Sequence, residues 1–281
     1  MSLELTYLGG AEVAQLALAD REILDAVRAV LAAQGRGEAI TEPRTHLFPP
    51  GARGHFNVLR GATPRFAGVK VVGDFVDNHR LGLPSELALL LLMDPMTGIP
   101  RAILDATAVT EMRTGAVTAL GAEALARRDA RVLGHIGARG TAYWNVRLCR
   151  AVLPGLREVR VHSRRPKSRE AFAAQLRRDL DVEVVVCEDW ESCVRGADVV
   201  VEASRLTEPE PLLRTEWITR GSLVVPYGTV SAVELSLTDI MDKVVVDDWG
   251  QAHAGPLGAL RAHVDSGRVS AESLHAELGQ I

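Results

Sequence analysis

One stretch indicates the architecture of this chain: Arg131-Val-Leu-Gly-His-Ile-Gly-Ala-Arg-Gly-Thr-Ala142. It predicts a buried strand, a glycine-rich turn and the start of a helix. Such a turn directs the N–H groups of the helix terminus at a phosphate and begins a dinucleotide-binding βαβ unit. Gly137 and Ala142 fit the pattern G-x-G-x-x-G/A, but Arg139 stands at the second glycine, and Gly140 follows it.

Arg139 leaves two interpretations open. Its side chain fills the space that the pyrophosphate needs, which would weaken or abolish cofactor binding. Alternatively, it turns outward and pairs with a phosphate, while Gly140 provides the close backbone approach one residue later.

Strands and helices are predicted to alternate after this turn, as they do around a parallel sheet. The strands are expected at 132–136, 158–162, 182–186, 198–202, 222–226 and 243–246, and the helices at 141–152, 167–180 and 190–195. Apolar runs such as Val199-Val-Val201 suit strands that are covered on both faces. The predicted fold class is therefore α/β, with a Rossmann-type dinucleotide-binding domain at 128–249.

The residues before this domain, 1–127, predict an α+β block with a mixed or antiparallel sheet. Extended segments are expected at 45–48, 55–59, 68–75, 86–93 and 101–104, and a long helix from Thr107 to about Ala126. The apolar run Leu87–Met93 is too short to span a bilayer and predicts a fully buried strand. The turn residues Asp94-Pro-Met-Thr-Gly98 predict a hairpin after it.

Composition excludes several classes of protein. The 281 residues carry 32 basic and 36 acidic side chains, a net charge of −4, which favours neither nucleic acid nor an anionic membrane as partner. Three cysteines without a CxxC pair and histidines without ligand spacing argue against a disulfide framework or a metal site. With no signal-peptide pattern at the N-terminus, a cytoplasmic location is expected.

The end of the second Rossmann strand distinguishes the two nicotinamide cofactors. An acid there binds the ribose 2′-hydroxyl of NAD, whereas arginine accommodates the 2′-phosphate of NADP. The segment Val161-His-Ser-Arg-Arg-Pro166 contains no acid, and Ser163, Arg164 and Arg165 offer donors for a phosphate. We therefore favour NADP(H), with NAD(H) as the alternative. The same residues are also compatible with a solvent-exposed basic turn that binds no cofactor.

Three basic residues, each in or near a predicted strand or helix, are candidates for binding an anionic substrate. Lys70 interrupts the apolar strand Gly68–Gly73, and a buried lysine is costly unless it is paired. It either binds an anionic substrate or lies on the solvent face of an edge strand. Arg113 on the long helix and Arg44 near the first predicted strand are, taken alone, equally compatible with surface positions.

Taken together in order, these segments resemble the ornithine cyclodeaminase/mu-crystallin family over nearly the whole chain. The resemblance rests on the lysine strand, the Asp94–Gly98 hairpin and above all the helix Thr110-Glu-Met-Arg-Thr-Gly-Ala116. It continues through the strand–turn–helix at Val132–Ala142 and the run Ala197–Ala203.

The resemblance implies a homodimer that acts on a small amino or imino acid with a nicotinamide cofactor. Residues 1–127 would form the substrate-binding and dimerisation domain, to which a segment at about 250–281 returns. Arg44, Lys70 and Arg113 would hold the substrate carboxylate, with Lys70 also the candidate for guiding imine protonation. The implied cofactor-binding set is Thr114, Gly137, Arg139, Gly140, Thr141, Ser163, Arg164, Arg165 and Ser204.

The chain departs from the family pattern in three places. Besides Arg139, the segment Val225–Ser231 has Gly228 or Thr229 where cyclodeaminases carry an aspartate that acts on the substrate amine. In addition, family members usually continue for some tens of residues beyond the position of Ile281, where a helical segment is expected. We therefore expect a ketimine reductase or amino-acid dehydrogenase. The alternatives are an NAD-dependent ornithine cyclodeaminase and a non-catalytic ligand-binding protein.

Overall fold

The computed structural model describes residues 4–138 and 140–281. The chain forms two compact units, Met1–Arg113 with Leu278–Gln280, and Thr114–Glu277 with Ile281. The boundary falls inside the long helix Thr107–Leu125, whereas the sequence places a domain boundary just after this helix. The assignment of substrate binding and dimerisation to residues 1–127, with a return at about 250–281, stays a prediction.

The first unit is built on a mixed six-stranded sheet with the order β1-β6-β5-β4-β3-β2. Its strands are β1 (Thr6–Leu8), β2 (Ile40–Leu47), β3 (Gly54–Ala62), β4 (Ala67–Phe75), β5 (Glu86–Met93) and β6 (Pro100–Asp105). Only β1 and β6 run parallel within this sheet; its other neighbours are antiparallel. The helices are α1 (Gly10–Gln15), α2 (Asp20–Gly35) and the first turns of α3 (Thr107–Leu125), with a 3₁₀ turn at Val76–Leu81.

The predicted hairpin is confirmed, since β5 and β6 pair antiparallel. Asp94 stabilises its turn by accepting the N–H groups of Met96 and Thr97 at 3.1 and 2.9 Å. The expectation of a fully buried β5 was wrong, because Leu87 and Leu89 are 42% and 49% exposed. An antiparallel sheet can leave one face open, and the exposed leucines alternate with more covered residues of the same strand.

The second unit contains a parallel five-stranded sheet with the order β11-β10-β7-β8-β9. These strands are β7 (Val132–Ile136), β8 (Glu158–His162), β9 (Glu183–Val186), β10 (Val199–Glu202) and β11 (Leu223–Pro226). The helices α4 (Ala142–Val152), α5 (Pro166–Asp179) and α6 (Trp190–Val194) connect the first four. This order is that of a Rossmann fold, which confirms the predicted fold class.

The remaining residues of the second unit form short elements. They are β12 (Val245–Val246), α7 (Trp249–His253), α8 (Arg261–Asp265) and β13 (Ala276–Glu277), with 3₁₀ turns at Thr215–Trp217, Leu235–Ile240 and Ala271–Ser273. The predicted strand at 243–246 is thus reduced to two residues, which pair with β13. Across the described residues, none of the helices is long and apolar enough to cross a membrane.

The core of the second unit lies around β7, β8 and β10. Leu133, Val159 and the β10 residues Val199–Val201 are completely buried. The connections lead away from β7 in opposite directions, toward β8 on one side and β10 on the other. In open parallel sheets the ligand binds at such a switch point, outside the carboxyl ends of the strands.

Candidate functional site

Lys70 and Arg113 form a cationic cluster in the first unit. Lys70 lies in the middle of β4, and its Nζ donates to Thr110 Oγ1 at 3.1 Å. Burial, and next the positive charge of Arg113, lower the pKa of Lys70 to about 7, against the opposing charge of Glu86. Since β3 and β5 flank β4, the interpretation of Lys70 as a residue on an edge strand was wrong.

The lowered pKa of Lys70 and its closeness to Arg113 both bear on anion binding. At neutral pH its ammonium group stands near the midpoint of its titration, so a nearby anion would favour the charged form. A lysine and an arginine held together offer a carboxylate one point charge and one bidentate donor.

Arg44 lies on β2, which β3 separates from the strand of Lys70. Its neighbour is His46, whose pKa is lowered by burial and then by the charges of Arg44 and His55. The rings of His46 and His55 lie 5.5 Å apart between centroids, on β2 and β3. These interactions bring Lys70, Thr110 and Arg113 together, and place Arg44 near His46, whose ring lies next to that of His55.

Two acidic residues near Lys70 and Arg113 were not predicted from the sequence. Glu111 follows Thr110 on α3, and burial, together with the negative charge of Glu86, raises its pKa to about 7. Glu86 begins β5 opposite Asp74 of β4. A lysine with a lowered pKa and an acid with a raised pKa both titrate near neutrality in this unit. Perturbed groups of this kind are a mark of functional sites.

The glycine-rich turn after β7 has positive φ angles at its glycines, as such a turn requires. Gly137 has φ +104°, and a Cβ there would lie 2.5 Å from the Ala203 carbonyl oxygen. Gly140 has φ +56° in open space, and Thr141 is the N-cap residue of α4. Arg139 lies outside the described residues.

A polar network of His135, Asn145, Tyr227 and Thr141 lies beneath this turn, and of these only Thr141 belongs to the predicted site residues. His135 Nδ1 donates to the Gly137 carbonyl at 2.9 Å, and its Nε2 accepts from Asn145 Nδ2 at 3.0 Å. Asn145 also donates to Tyr227 Oη at 2.6 Å, and this hydroxyl bonds to Thr141 Oγ1. Burial lowers the pKa of His135 to about 4, so the imidazole is neutral, as the network requires.

The other predicted cofactor residues lie at the ends of β8 and β10 and on α3. Arg164 and Arg165 are exposed after β8, where Arg165 is the N-cap of α5. The Ser204 N–H donates to Glu202 Oε1 at 2.7 Å. Thr114 precedes Gly115, where a Cβ would lie 2.6 Å from the Trp144 backbone, so this glycine lets α3 approach α4 closely.

Glu202 was not predicted from the sequence. It is completely buried at the carboxyl end of β10, and burial raises its pKa. Its Oε2 lies 3.0 Å from the point where a Cβ on Gly228 would stand. The signal that could have found it is an acid directly after three apolar residues of a central strand.

Comparisons with known proteins agree with this geometry. Residues 6–281 match the model of the ornithine cyclodeaminase/mu-crystallin family. Alanine dehydrogenase of Archaeoglobus fulgidus is 30% identical over 283 residues, which cover 99% of this chain and 84% of that protein.

Two solved structures are similar over nearly the whole chain. Thermococcus litoralis Δ1-pyrroline-2-carboxylate reductase in complex with NADH and L-proline is 25% identical, with a TM-score of 0.90, covering 98% of this chain and 85% of that one. An archaeal alanine dehydrogenase dimer with bound NAD is 28% identical, with a TM-score of 0.87 and coverages of 98% and 84%.

Proposed function

We propose that this chain, which belongs to the ornithine cyclodeaminase/mu-crystallin family, is a nicotinamide-dinucleotide-dependent oxidoreductase of small amino or imino acids. The observation that carries the proposal is the partly buried pair of Lys70 and Arg113, with Lys70 bonded to Thr110. A lysine and an arginine held close together favour the binding of an anion such as a carboxylate. Relatives with these activities support an amino or imino acid as its source.

In this proposal Lys70, Arg113 and Arg44 bind the substrate carboxylate and orient the α-carbon. Arg113 and Arg44 provide paired donors, which fix the plane of a carboxylate. With a pKa of about 7, Lys70 can hold a proton at Nζ and release it when the imine nitrogen needs one. The cofactor, when bound, supplies or accepts the hydride.

The second unit is proposed to hold the dinucleotide. The positive φ of Gly137, the helix terminus at Thr141 and the sheet order support a pyrophosphate site at the end of β7. Gly140, Ser204 and Thr114 complete the proposed set. NADP(H) is favoured over NAD(H), because the end of β8 carries Ser163, Arg164 and Arg165 and no acid.

The activity is tested by supplying NADPH or NADH with cyclic imines, or with 2-oxo acids and ammonia, and following cofactor absorbance. The expected result is steady oxidation of the cofactor in the presence of an imine. Formation of proline and ammonia from ornithine without net cofactor turnover would instead identify a cyclodeaminase. Tight binding of cofactor and substrate without turnover would identify a binding protein.

The cofactor preference has its own test. The double variant Arg164→Ala/Arg165→Ala should weaken NADPH binding by about tenfold or more and leave NADH binding within about threefold, since each lost phosphate contact costs about 1 to 2 kcal/mol. Arg178→Ala, an exposed arginine later in α5, is the matched control. Equal affinities for the two cofactors in the wild type would refute the preference.

We also propose that the chain is a homodimer that buries the open face of the first unit's sheet. Tyr7, Leu47, Val71, Leu87 and Leu89 alternate onto one face and are 37–70% exposed. Exposed apolar patches of this kind mark association surfaces. Val71→Glu/Leu89→Glu should give a monomer by light scattering, and a wild type that is itself monomeric would contradict the proposal. The cytoplasmic location stays a prediction.

A further inference from the structure

Three buried polar atoms lie together on β2 and β3, and none of them has a hydrogen-bond partner among the described residues. They are Nε2 of His46, Nε2 of His55 and Oδ1 of Asn57. His46 is directly opposite Asn57 in the register of the two strands, and His55 precedes Asn57 by two residues, so the three side chains share one face of the sheet. His55 is only 8% exposed. Since buried polar atoms without partners are costly, three of them side by side indicate a place for a polar ligand group.

The two imidazole rings are held by each other and by Phe48. Their centroids lie 5.5 Å apart, and the Phe48 ring lies 6.0 Å from that of His46 and 5.3 Å from that of His55. Ring pairs at such distances pack against one another and restrict the side-chain torsions. The nitrogens of His46 and His55 are therefore arranged before a ligand arrives, which lowers the entropy cost of binding.

These polar atoms lie on the face of the sheet that carries Lys70. Asn57 is opposite Val72 of β4, and Lys70 precedes Val72 by two residues. Diagonal neighbours of this kind have their Cβ atoms about 7–8 Å apart. A small amino acid whose carboxylate is bound at Lys70 can therefore extend its side chain along this face toward Asn57 and the imidazoles.

The charges around the three atoms favour an anionic group. Burial, and then the positive charges of Arg44 and His55, lower the pKa of His46, and no acid is among these causes. A neutral imidazole can donate from Nε2, and the Asn57 amide can present its NH₂ after a half turn of the amide group. Asp74 of β4 stands opposite His55, so a negative charge is better placed toward β2, where Arg44 lies. A carboxylate, which only accepts hydrogen bonds, fits this set of donors.

Resting on the proposed function, we propose that His46, His55 and Asn57 bind a second carboxylate, carried by the side chain of the substrate. Lys70 and Arg113 then hold the α-carboxylate, while the two imidazoles donate to the distal one. The substrate class is thereby narrowed to dicarboxylic amino or imino acids. The three residues determine specificity and take no part in the transfer of hydride or protons.

The test compares ligands that differ only in their distal group. Calorimetry measures the affinities of 2-oxoglutarate and 2-oxoadipate in the presence of oxidised dinucleotide, which cannot reduce them. Each is compared with the 2-oxo acid in which an isopropyl group replaces the distal carboxylate, and with the one in which a carboxamide replaces it. His46→Leu and His55→Leu each remove a donor at similar volume, and His55→Gln keeps one. His275→Leu, which changes an exposed histidine of the second unit, is the control.

The wild type should bind the better dicarboxylate at least about tenfold more tightly than its isopropyl and carboxamide counterparts. His46→Leu and His55→Leu should each reduce this preference by about fivefold or more and leave the isopropyl acid within about threefold, while His55→Gln and His275→Leu keep the wild-type preference. Asn57→Leu should act in the same direction and serves as the test if a histidine variant does not fold.

A wild type without the preference, or variants that weaken all three ligands equally, would overturn the proposal. A carboxamide that binds as tightly as the carboxylate would also overturn it, because the site would then recognise a neutral group. If only the isopropyl acids bind and are reduced in the presence of ammonia and reduced cofactor, this inference fails and the proposed function stands. If none of the ligands binds, the carboxylate site of the proposed function fails as well.

Discussion

Raising the pH from 6 to 9 should remove the charge of Lys70 while Arg113 keeps its own. With a pKa of about 7, Lys70 is about 90% charged at pH 6, about half charged at pH 7 and about 1% charged at pH 9. If a carboxylate binds only the charged form, its apparent Kd is the intrinsic value divided by the charged fraction. The apparent Kd should therefore rise about tenfold per pH unit above 7.

The assay is calorimetric titration with pyrrole-2-carboxylate, an aromatic carboxylate of the size of the proposed substrates, at pH 6, 7, 8 and 9. Between pH 6 and 9 the wild-type affinity should fall by about two orders of magnitude. Lys70→Arg keeps a cation that stays charged throughout this range, so the affinity of this variant should be nearly independent of pH. Lys70→Met should bind weakly at every pH.

Two results would refute this reasoning. A wild-type affinity that stays flat from pH 6 to 9 would show that Lys70 does not change charge in this range or does not touch the ligand. A Lys70→Arg variant that keeps the wild-type slope would assign the titration to another group, of which Glu111, with its pKa raised to about 7, is the first candidate.

Three further results are expected. Arg113→Gln removes a cation that lowers the pKa of Lys70, so the midpoint of the same pH profile should move above 7. Gly137→Ala should lower the free energy of unfolding by about 2 kcal/mol or more in urea titrations, because the new Cβ meets a backbone carbonyl at positive φ; Gly140→Ala, in open space, should cost only about 1 kcal/mol. Asn145→Leu breaks two buried hydrogen bonds and should cost about 2 to 4 kcal/mol, whereas an unchanged midpoint would show that the network adds no stability.

The parallel sheet could be predicted from the sequence because its signals are local. In the parallel sheet, β9, β10 and β11 are short runs of mostly apolar residues, β8 alternates polar residues with valines, and the helices between the strands repeat at helical spacing. As a result, β7, β8 and β10 lie where they were expected. The family resemblance is confirmed as well, since its motifs are contiguous. By contrast, β1 has three residues and pairs with β6, far along the chain, which leaves no periodic signal.

The polar network at the glycine turn could not be predicted, because it depends on distant residues. His135 has no ligand spacing in the sequence that would give it a role, and its partner Asn145 bonds to Tyr227, which is 82 residues further along the chain. Glu202 stands next to an apolar run, but its approach to Gly228 depends on the pairing of β10 with β11. Such contacts follow from tertiary register and not from spacing in the sequence.

The sheet of the first unit shows why the role of Lys70 could not be settled from alternation alone. Alternation separates two faces but does not say which is covered, and polar residues are normally expected on the open one. Here the more open face carries Val71 and Leu89, while Lys70 points the other way, toward Thr110 of α3. This inversion costs energy on both faces of an isolated chain, since it exposes apolar area and buries a cation. Both costs are offset together if a second copy covers the apolar face and a carboxylate binds the cations, as proposed above.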